Sequence, residues 1–289
     1  MKHEIRTDLA LESEQIRRGT GAALAGVRSR TAQHGDFAVT VTEVLDERGA
    51  AALGKPVGRY VTLELGALFR REENAFAAAA ALLAENLRTL AALPPEGAVL
   101  VAGLGNRDIT PDAVGPAALD AVLVTRHLRA QLPEHFAAFR PVTAVCTGVL
   151  GTTGIESGDL VRAVAAEVRP AAVIAVDALA ARAPAHLCRT VQLSDTGIVP
   201  GSGVGNARRA LSRETLGVPV IAVGVPTVVD AETLAAEQGA EPPEDIRGLF
   251  VTPRDIDRRV RDTAKLIGYG INLALHEGLT LADIDMFLS

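Results

Sequence analysis

Two aspartates follow apolar segments of the kind that forms buried β-strands. Asp177 comes directly after the apolar run 172–176, and Asp112 lies in the loop that leaves the apolar run 98–104. In an open parallel sheet, loops at the carboxyl ends of the strands meet at one edge, where ligands bind. Two carboxyl groups that meet there cannot ionise independently, because the charge on one raises the pKa of the other. The ionised group can activate a water and the protonated group can support a carbonyl oxygen, which predicts hydrolysis of an amide bond without a metal.

Each aspartate also has a structural interpretation that the sequence leaves open. Asp112 follows Pro111, which suits the first turn of a helix, and an acid there interacts favourably with the helix dipole. Asp177 is harder to explain in this way, since a carboxylate at the end of a buried strand is costly unless it is paired or functional. Asp195 and Asp230 lie in further loops at the same edge, and chemistry alone does not exclude them.

The elements that must position these residues follow from the pattern of apolar side chains. Short, almost wholly apolar runs are typical of strands that are buried on both faces of a parallel sheet. Segments with helical spacing separate these runs, and such alternation predicts right-handed crossover connections. The apolar runs lie at residues 98–104, 142–148, 172–176 and 218–225, and the helical segments at residues 72–93, 112–131, 155–168, 206–216 and 253–276.

The N-terminal part of the chain has a different pattern. Residues 1–35 are polar and predict an arm with a short helix. Residues 37–44 and 59–65 alternate apolar and polar side chains, which predicts two half-buried strands that pair antiparallel. We therefore predict an α/β fold in one domain of residues 1–289. Its central sheet is expected to be mostly parallel and flanked by helices, with a small antiparallel region near the N-terminus.

Composition disfavours several classes of function. The net charge is −6 and no dense run of Lys and Arg occurs, which argues against direct nucleic-acid binding. No apolar run is long enough to span a membrane, and the N-terminus lacks the apolar stretch of a secretory signal, so we expect an intracellular protein. Cys146 and Cys188 form no CxxC pair, and Gly103-Leu-Gly105 lacks the third glycine of a dinucleotide-binding loop. We therefore predict no disulfide, no metal and no cofactor.

A series of long motifs runs in order along nearly the whole chain. They are GRYVTLE at 58–64, GLGN at 103–106, TPDAVGP at 110–116, LVTRHL at 123–128, GIE at 154–156, AVDALAAR at 175–182, SDTG at 194–197, PGSGVGN at 200–206, IAVGVPTVVD at 221–230, VTP at 251–253 and NLALH at 272–276. Together these motifs resemble the germination protease family of spore-forming bacteria, and their number and length make the resemblance very specific.

The resemblance implies an endopeptidase of an atypical aspartic type that degrades small acid-soluble spore proteins during germination. The two catalytic aspartates proposed for the family correspond to Asp112 and Asp177. The resemblance also implies a homotetramer in the cytoplasm of the forespore and the spore core. Neither a nucleic acid nor a membrane is expected as a direct partner.

The resemblance further implies a zymogen that removes its own N-terminal piece. The cleavage motif of the family is an acid, then a large apolar residue, then alanine, and Asp8-Leu9-Ala10 has this pattern. We predict cleavage between Asp8 and Leu9, in a mobile terminal arm, with residues 1–8 as the pro-piece. The chain departs from the family in the segment after Asp230, which is much shorter here, and the acidic residues 232–245 predict a surface loop.

Alternatives to this function remain open at the level of the sequence. The GLGN loop, followed by an acid and a glycine, is similar to hydrogenase maturation endopeptidases, which hold a metal with acids at such places. A metal-dependent maturation-type endopeptidase is therefore one alternative. A non-catalytic binding protein of the same fold is another, and a nucleoside phosphorylase-like enzyme is a third if phosphate binds the glycine-rich loop 200–206.

Overall fold

The computed structural model describes residues 5–19, 21, 24–70, 72–91, 93–94, 96–201 and 209–289. Within these residues nine strands form one sheet, and helices cover it. The strands are β1 (Val27–His34), β2 (Phe37–Val44), β3 (Gly58–Glu64), β4 (Val99–Gly103), β5 (Val142–Cys146), β6 (Ala172–Ala181), β7 (Thr190–Ser194), β8 (Val220–Asp230) and β9 (Phe250–Val251).

The helices vary greatly in length, and only a few of them are long enough to cover several strands. They are α1 (Ala10–Gly19), α2 (Glu47–Leu53), α3 (Gly66–Phe69), α4 (Ala75–Ala91), α5 (Val114–Leu119), α6 (Arg126–Gln131), α7 (Pro133–Phe136), α8 (Leu150–Thr153), α9 (Ser157–Val168), α10 (Arg213–Leu216), α11 (Ala231–Glu237), α12 (Ile256–Leu275) and α13 (Leu281–Leu288). No described helix combines the length and the apolar character needed to span a bilayer.

The sheet is mixed: eight strands follow the order β1-β2-β3-β7-β8-β6-β4-β5, and the short strand β9 pairs antiparallel with β8. The four strands β8, β6, β4 and β5 are parallel neighbours, and they correspond to the four apolar runs of the sequence. The strands β1, β2, β3 and β7 pair antiparallel, and β7 joins the two halves by pairing antiparallel with β8. The α/β class and the antiparallel pairing of β2 with β3 are therefore confirmed. A mostly parallel sheet is not, because the antiparallel region is as large as the parallel one.

The parallel strands are apolar because helices cover both of their faces. On one face, Val101, Ile174 and Val223 pack against α4 and α12 in the main core. On the other face, Leu100 and Val173 pack in a smaller cluster that includes Val161 of α9. The side chains on both faces of these strands are thus removed from water. This condition favours continuous apolar runs over alternation of apolar and polar residues.

Several elements differ from the sequence-based expectation. The strand β1 lies in the segment expected to be an arm. The sequence did not predict this strand, because its side chains are polar and mostly exposed and show no apolar alternation. The expected helix 112–131 is divided into α5 and α6, and α11 occupies the start of the expected loop 232–245. The helix expected at 206–216 is seen only as α10, and residues 202–208 lie outside the described part of the chain.

The helix α5 lies unusually close to the parallel strands because a glycine faces them. A Cβ atom on Gly115 would lie 2.3 Å from the carbonyl oxygen of Leu104 and 2.5 Å from that of Val176. Both obstacles are backbone atoms, which cannot turn aside as a side chain can. The contact therefore fixes the helix, and the loop that precedes it, against β4 and β6.

We predict that Gly115→Ala lowers the free energy of unfolding by about 3 kcal/mol, because overpacking at a rigid site costs energy of this size. Urea denaturation measures the change. The matched control is Gly151→Ala in α8, where an added Cβ meets no atom within 4 Å. The control is expected to change stability by less than about 1 kcal/mol. Equal stability of Gly115→Ala and the native chain would contradict this account of the close packing.

Candidate active site

A cavity of about 390 Å³ lies at the carboxyl ends of β4, β6 and β8. Both Asp112, in the loop after β4, and Asp177, in β6, line it, although they lie far apart in the sequence. Most of the other lining side chains are apolar, and they include Leu104 and Phe250. The structure therefore brings the two predicted residues to one site, as the rule for the carboxyl edge of a parallel sheet requires.

Asp112 is held by the loop that follows β4. The residue ends a short 3-10 turn, and its Oδ2 atom accepts a hydrogen bond of 2.7 Å from the backbone N–H of Asn106. The loop can fold over the carboxylate because Gly105 has a φ of +102°, and a Cβ there would lie 2.2 Å from the carbonyl oxygen of Asp112. The carboxylate thus receives a donor from the preceding loop, whereas α5 begins at Val114 and shows no side-chain cap.

Asp177 lies inside β6, not at its end. The strand continues to Ala181, so the expectation that the acid terminates the strand is wrong. Only 5% of Asp177 is exposed, and its Oδ1 atom accepts a hydrogen bond of 2.9 Å from the N–H of Ala178. Its partner in β8 is Gly224, whose missing Cβ leaves room for the side chain of Leu179. A nearly buried acid that opens into a cavity fits a functional role better than a purely structural one.

Two carboxyl groups in one small and largely apolar cavity define the chemistry that is available. Two carboxyl groups that line one cavity can supply a general base and a general acid. Within the described residues, no group of three or more His, Cys, Asp and Glu side chains is arranged to hold a metal. The buried hydroxyl groups of Ser157 and Thr227 also line the cavity, and nothing in the sequence distinguished them from other polar residues.

The other candidate residues lie elsewhere. Asp195 lines a second cavity, where its Oδ1 atom accepts a hydrogen bond of 2.8 Å from the N–H of Arg59, and burial raises its pKa. Asp230 caps α11 by accepting from the N–H of Thr233 at 3.0 Å. Of the glycine-rich loop, Pro200 and Gly201 line the cavity of the two aspartates, and residues 202–206 lie outside the described part of the chain.

The N-terminal segment packs against the body of the protein. Leu9 and Ala10 are fully buried, so the expectation of a mobile arm is wrong for these residues. The side chain of Leu9 packs in a cluster with Leu179, Leu187 and Val229. The Asp8–Leu9 bond, at which we expect processing, is therefore held in a fixed place beside the sheet.

Glu12 anchors this segment, and no sequence signal pointed to it. Its carboxylate is fully buried. It accepts hydrogen bonds from the hydroxyl group of Thr7 and from the backbone N–H groups of Arg182 and Ala183. It also lies 2.6 Å from Nδ1 of His186. Burial alone would raise the pKa of Glu12, but these hydrogen bonds outweigh burial and lower the pKa below its usual value of 4.5. The residue ties α1 to the turn that follows β6.

The fold and the cavity define a class of α/β protein with an acidic site at the carboxyl edge of its parallel strands. Residues 4–239 match the family model described as germination protease. The chain is 38% identical to the germination protease of Clostridium perfringens over 325 aligned positions, which cover 99% of this chain and 100% of the relative. It is 40% identical to that of Caldanaerobacter subterraneus, covering 98% of each chain, and 44% identical to that of Bacillus subtilis over 81% of this chain and 65% of the relative.

The chain belongs to the germination protease family, and it is accordingly a peptidase. The resemblance seen in the motifs is therefore confirmed. The 325 aligned positions exceed the 289 residues of this chain, so the relative from Clostridium perfringens carries additional residues. The family model ends at residue 239, inside the segment after Asp230 that the motifs indicated to be shortened.

We predict that Glu12→Gln lowers the free energy of unfolding at pH 7 by about 3 kcal/mol, because hydrogen bonds to a buried charged group are lost. The native chain should also lose stability as the pH falls below about 4.5. There the unfolded carboxyl takes up a proton while the folded one, with its lowered pKa, stays ionised. The variant should lack this part of the pH dependence.

The measurement is denaturant unfolding from pH 7 to pH 3, in an Asp177→Asn background so that cleavage does not intervene. The control is Glu85→Gln, which changes an exposed side chain on α4. Coincident stability curves for Glu12→Gln and the native residue would show that the anchor contributes nothing.

Proposed function

We propose that this chain is an endopeptidase that hydrolyses peptide bonds through Asp112 and Asp177 without a metal, and that its substrates are small acid-soluble spore proteins. The observation that carries the proposal is that both aspartates line one cavity at the carboxyl edge of the sheet. Membership of a peptidase family supports the reaction type. The substrate, action in the spore and a homotetrameric assembly rest on the resemblance of the motifs.

In the proposed reaction a water enters the cavity between the substrate carbonyl group and the aspartate pair. The ionised carboxylate takes a proton from the water, whose oxygen attacks the carbonyl carbon, and the protonated carboxyl donates to the carbonyl oxygen. Cleavage of the C–N bond sends a proton to the leaving amine. The products are one carboxylic acid and one amine, and the two aspartates return to their shared-proton state.

We predict that Asp112→Asn and Asp177→Asn each lower the rate of peptide cleavage by about 10³-fold or more, because each removes one partner of the acid–base pair. The assay uses a peptide with a Glu-Phe-Ala or Glu-Ile-Ala core, read by mass spectrometry. The matched control is Asp36→Asn in the exposed turn between β1 and β2, which should retain full activity. Full activity in either cavity variant would remove that aspartate from the mechanism.

The same assay with a chelator distinguishes this mechanism from the metal-dependent alternative. Activity of the purified protein should be the same with and without a strong chelator. Loss of activity with the chelator, and recovery on adding a divalent cation, would favour the maturation-type mechanism. A native chain that binds the peptide and never cuts it would favour the binding protein.

The proposal includes processing of the precursor at the Asp8–Leu9 bond. This bond joins an acid to a large apolar residue that precedes alanine, which matches the pattern proposed for the substrates. We predict that incubation of the purified full chain at mildly acidic pH yields a product that starts at Leu9. N-terminal sequencing identifies the product, and Asp177→Asn should remain uncut. A chain that keeps its original first residue under these conditions would rule out self-processing here.

A further inference from the structure

The carbonyl group of the Asp8–Leu9 bond is held by two side chains. Its oxygen accepts a hydrogen bond of 3.0 Å from the Nζ atom of Lys55 and one of 3.1 Å from the Nε2 atom of Gln192. These residues lie in different parts of the chain, Lys55 before β3 and Gln192 within β7. Two donors on one carbonyl oxygen, one of them a cation, form an arrangement that stabilises negative charge on that oxygen.

We infer that Lys55 and Gln192 are catalytic residues of self-processing, which stabilise the oxyanion that forms on Asp8 when the Asp8–Leu9 bond is cut. The inference rests on the proposed self-cleavage and assigns to it a pair of residues outside the cavity of the two aspartates. Lys55 and Gln192 instead line the second cavity, of about 610 Å³, together with Asp8.

Gln192 contacts both sides of the bond. While its Nε2 atom donates to the oxygen of Asp8, its Oε1 atom accepts a hydrogen bond of 2.7 Å from the N–H of Ala10. Gln192 is buried, and its side-chain amide satisfies the backbone C=O of Asp8 and the backbone N–H of Ala10, as a neighbouring strand would do. A contact that only anchored the segment would not need donors on the one carbonyl group that the reaction changes.

The flanking residues hold the bond in place on both sides. The N–H of Asp8 donates to the carbonyl oxygen of Ala180 at 2.9 Å, and the N–H of Ala180 donates to the Asp8 carboxylate at 2.8 Å. On the other side Leu9 fills its apolar cluster. An acid followed by a large apolar residue is thus recognised by specific contacts, which explains why the reaction would select this bond.

The bond lies on the same face of the sheet as Asp177. Gly224 is the register partner of Asp177 on one side and of Gln192 on the other, so these three residues form one row across β6, β8 and β7. Neighbouring strands are about 4.8 Å apart, which places the outer Cα atoms about 9.6 Å apart. The side chain of Leu179 covers Gly224 and lines both cavities. Movement of Leu179 off this glycine would join the two cavities.

The chemical step follows from this arrangement. A water activated by the aspartate pair adds to the carbonyl carbon of Asp8, and the electron pair of the C=O bond moves to the oxygen. Lys55 and Gln192 donate hydrogen bonds to that oxyanion. Its collapse breaks the bond to the nitrogen of Leu9, which takes up a proton and leaves as an amine, while Asp8 gains a carboxyl group.

Lys55 suits this role because its ammonium group is partly removed from water. Burial lowers its pKa, and the carboxylates of Asp8 and Glu12 act in the opposite direction. Its Nζ atom donates hydrogen bonds to two neutral carbonyl oxygens, those of Thr7 and Asp8. The attraction between this cation and one of these oxygens strengthens when the oxygen becomes negative, and it strengthens more in a site with little water.

The test compares the rate at which purified full-length variants become a chain that starts at Leu9. Lys55→Met and Gln192→Met should each slow self-processing by about 10²-fold, the usual loss when one oxyanion donor is removed. Lys55→Arg, which keeps a cationic donor, should recover part of that loss. Lys265→Met, which changes an exposed lysine on α12, should process at the native rate.

A second control separates catalysis from anchoring. Arg6→Ala removes an ion pair of 3.7 Å with Asp230 and leaves both carbonyl contacts in place. Hydrogen exchange of the amides near Asp8 should rise in this variant while the processing rate stays within about threefold of native. If Arg6→Ala slows processing as much as Lys55→Met does, anchoring controls the rate and the inference is overturned.

The remaining outcomes are also decisive. If the native chain processes itself and folded Lys55→Met and Gln192→Met process at the native rate, the inference fails while the proposed function stands. If the native chain neither processes itself nor cuts a peptide, the proposed function fails. Circular dichroism identifies a variant that has not folded. In that case the processing rates of Lys55→Arg and of the methionine variant that does fold decide whether the inference holds.

Discussion

The close contact between the loop after β4, the helix α5 and the strand β6 is the constraint on which the rest of the site depends. Gly115 allows the backbone of α5 to lie against Leu104 and Val176, and Gly105 allows the loop to fold over Asp112. With larger residues the helix and loop would move outwards by the thickness of a methyl group. Asp112 would then move away from the edge of the sheet at which Asp177 lies.

The mixed sheet extends this arrangement to the N-terminus. A purely parallel sheet has helices on both faces, so no face near the site would be free for another segment. Here the antiparallel strands leave one face open beside β8, and Ala10 packs over that half of the sheet with Val44 and Tyr60. The same row of residues that contains Asp177 therefore continues through Gly224 to Gln192, under the segment that we expect to be cut.

The sequence predicts the parallel strands and the meeting of the two aspartates well, because burial on both faces leaves a strong apolar signal and the carboxyl-edge rule is geometric. Other features are not predictable in this way. The side chains of β1 are polar and mostly exposed, so a strand at the edge of the sheet has no apolar alternation to reveal it. The strand β6 runs past Asp177 because Ala178 to Ala181 still pair with β8, and a single acid within an apolar run looks like a strand end.

The contacts of the N-terminal segment show most clearly what a sequence cannot give. Glu12, Lys55 and Gln192 are polar residues without a motif of their own, and each acquires its role only through folding. Glu12 is buried among donors that satisfy its charge, and although burial raises its pKa, these hydrogen bonds lower it by more. Burial lowers the pKa of the Lys55 ammonium group while the carboxylates of Asp8 and Glu12 act in the opposite direction, and the group donates hydrogen bonds to two carbonyl oxygens. Hydrogen bonds that are fully formed in the ground state do not lower the barrier of the reaction. The hydrogen bond from a cation to a carbonyl oxygen, in contrast, strengthens when that oxygen becomes an anion. This difference is the physical reason for assigning the anchor to Glu12 and the chemistry to Lys55.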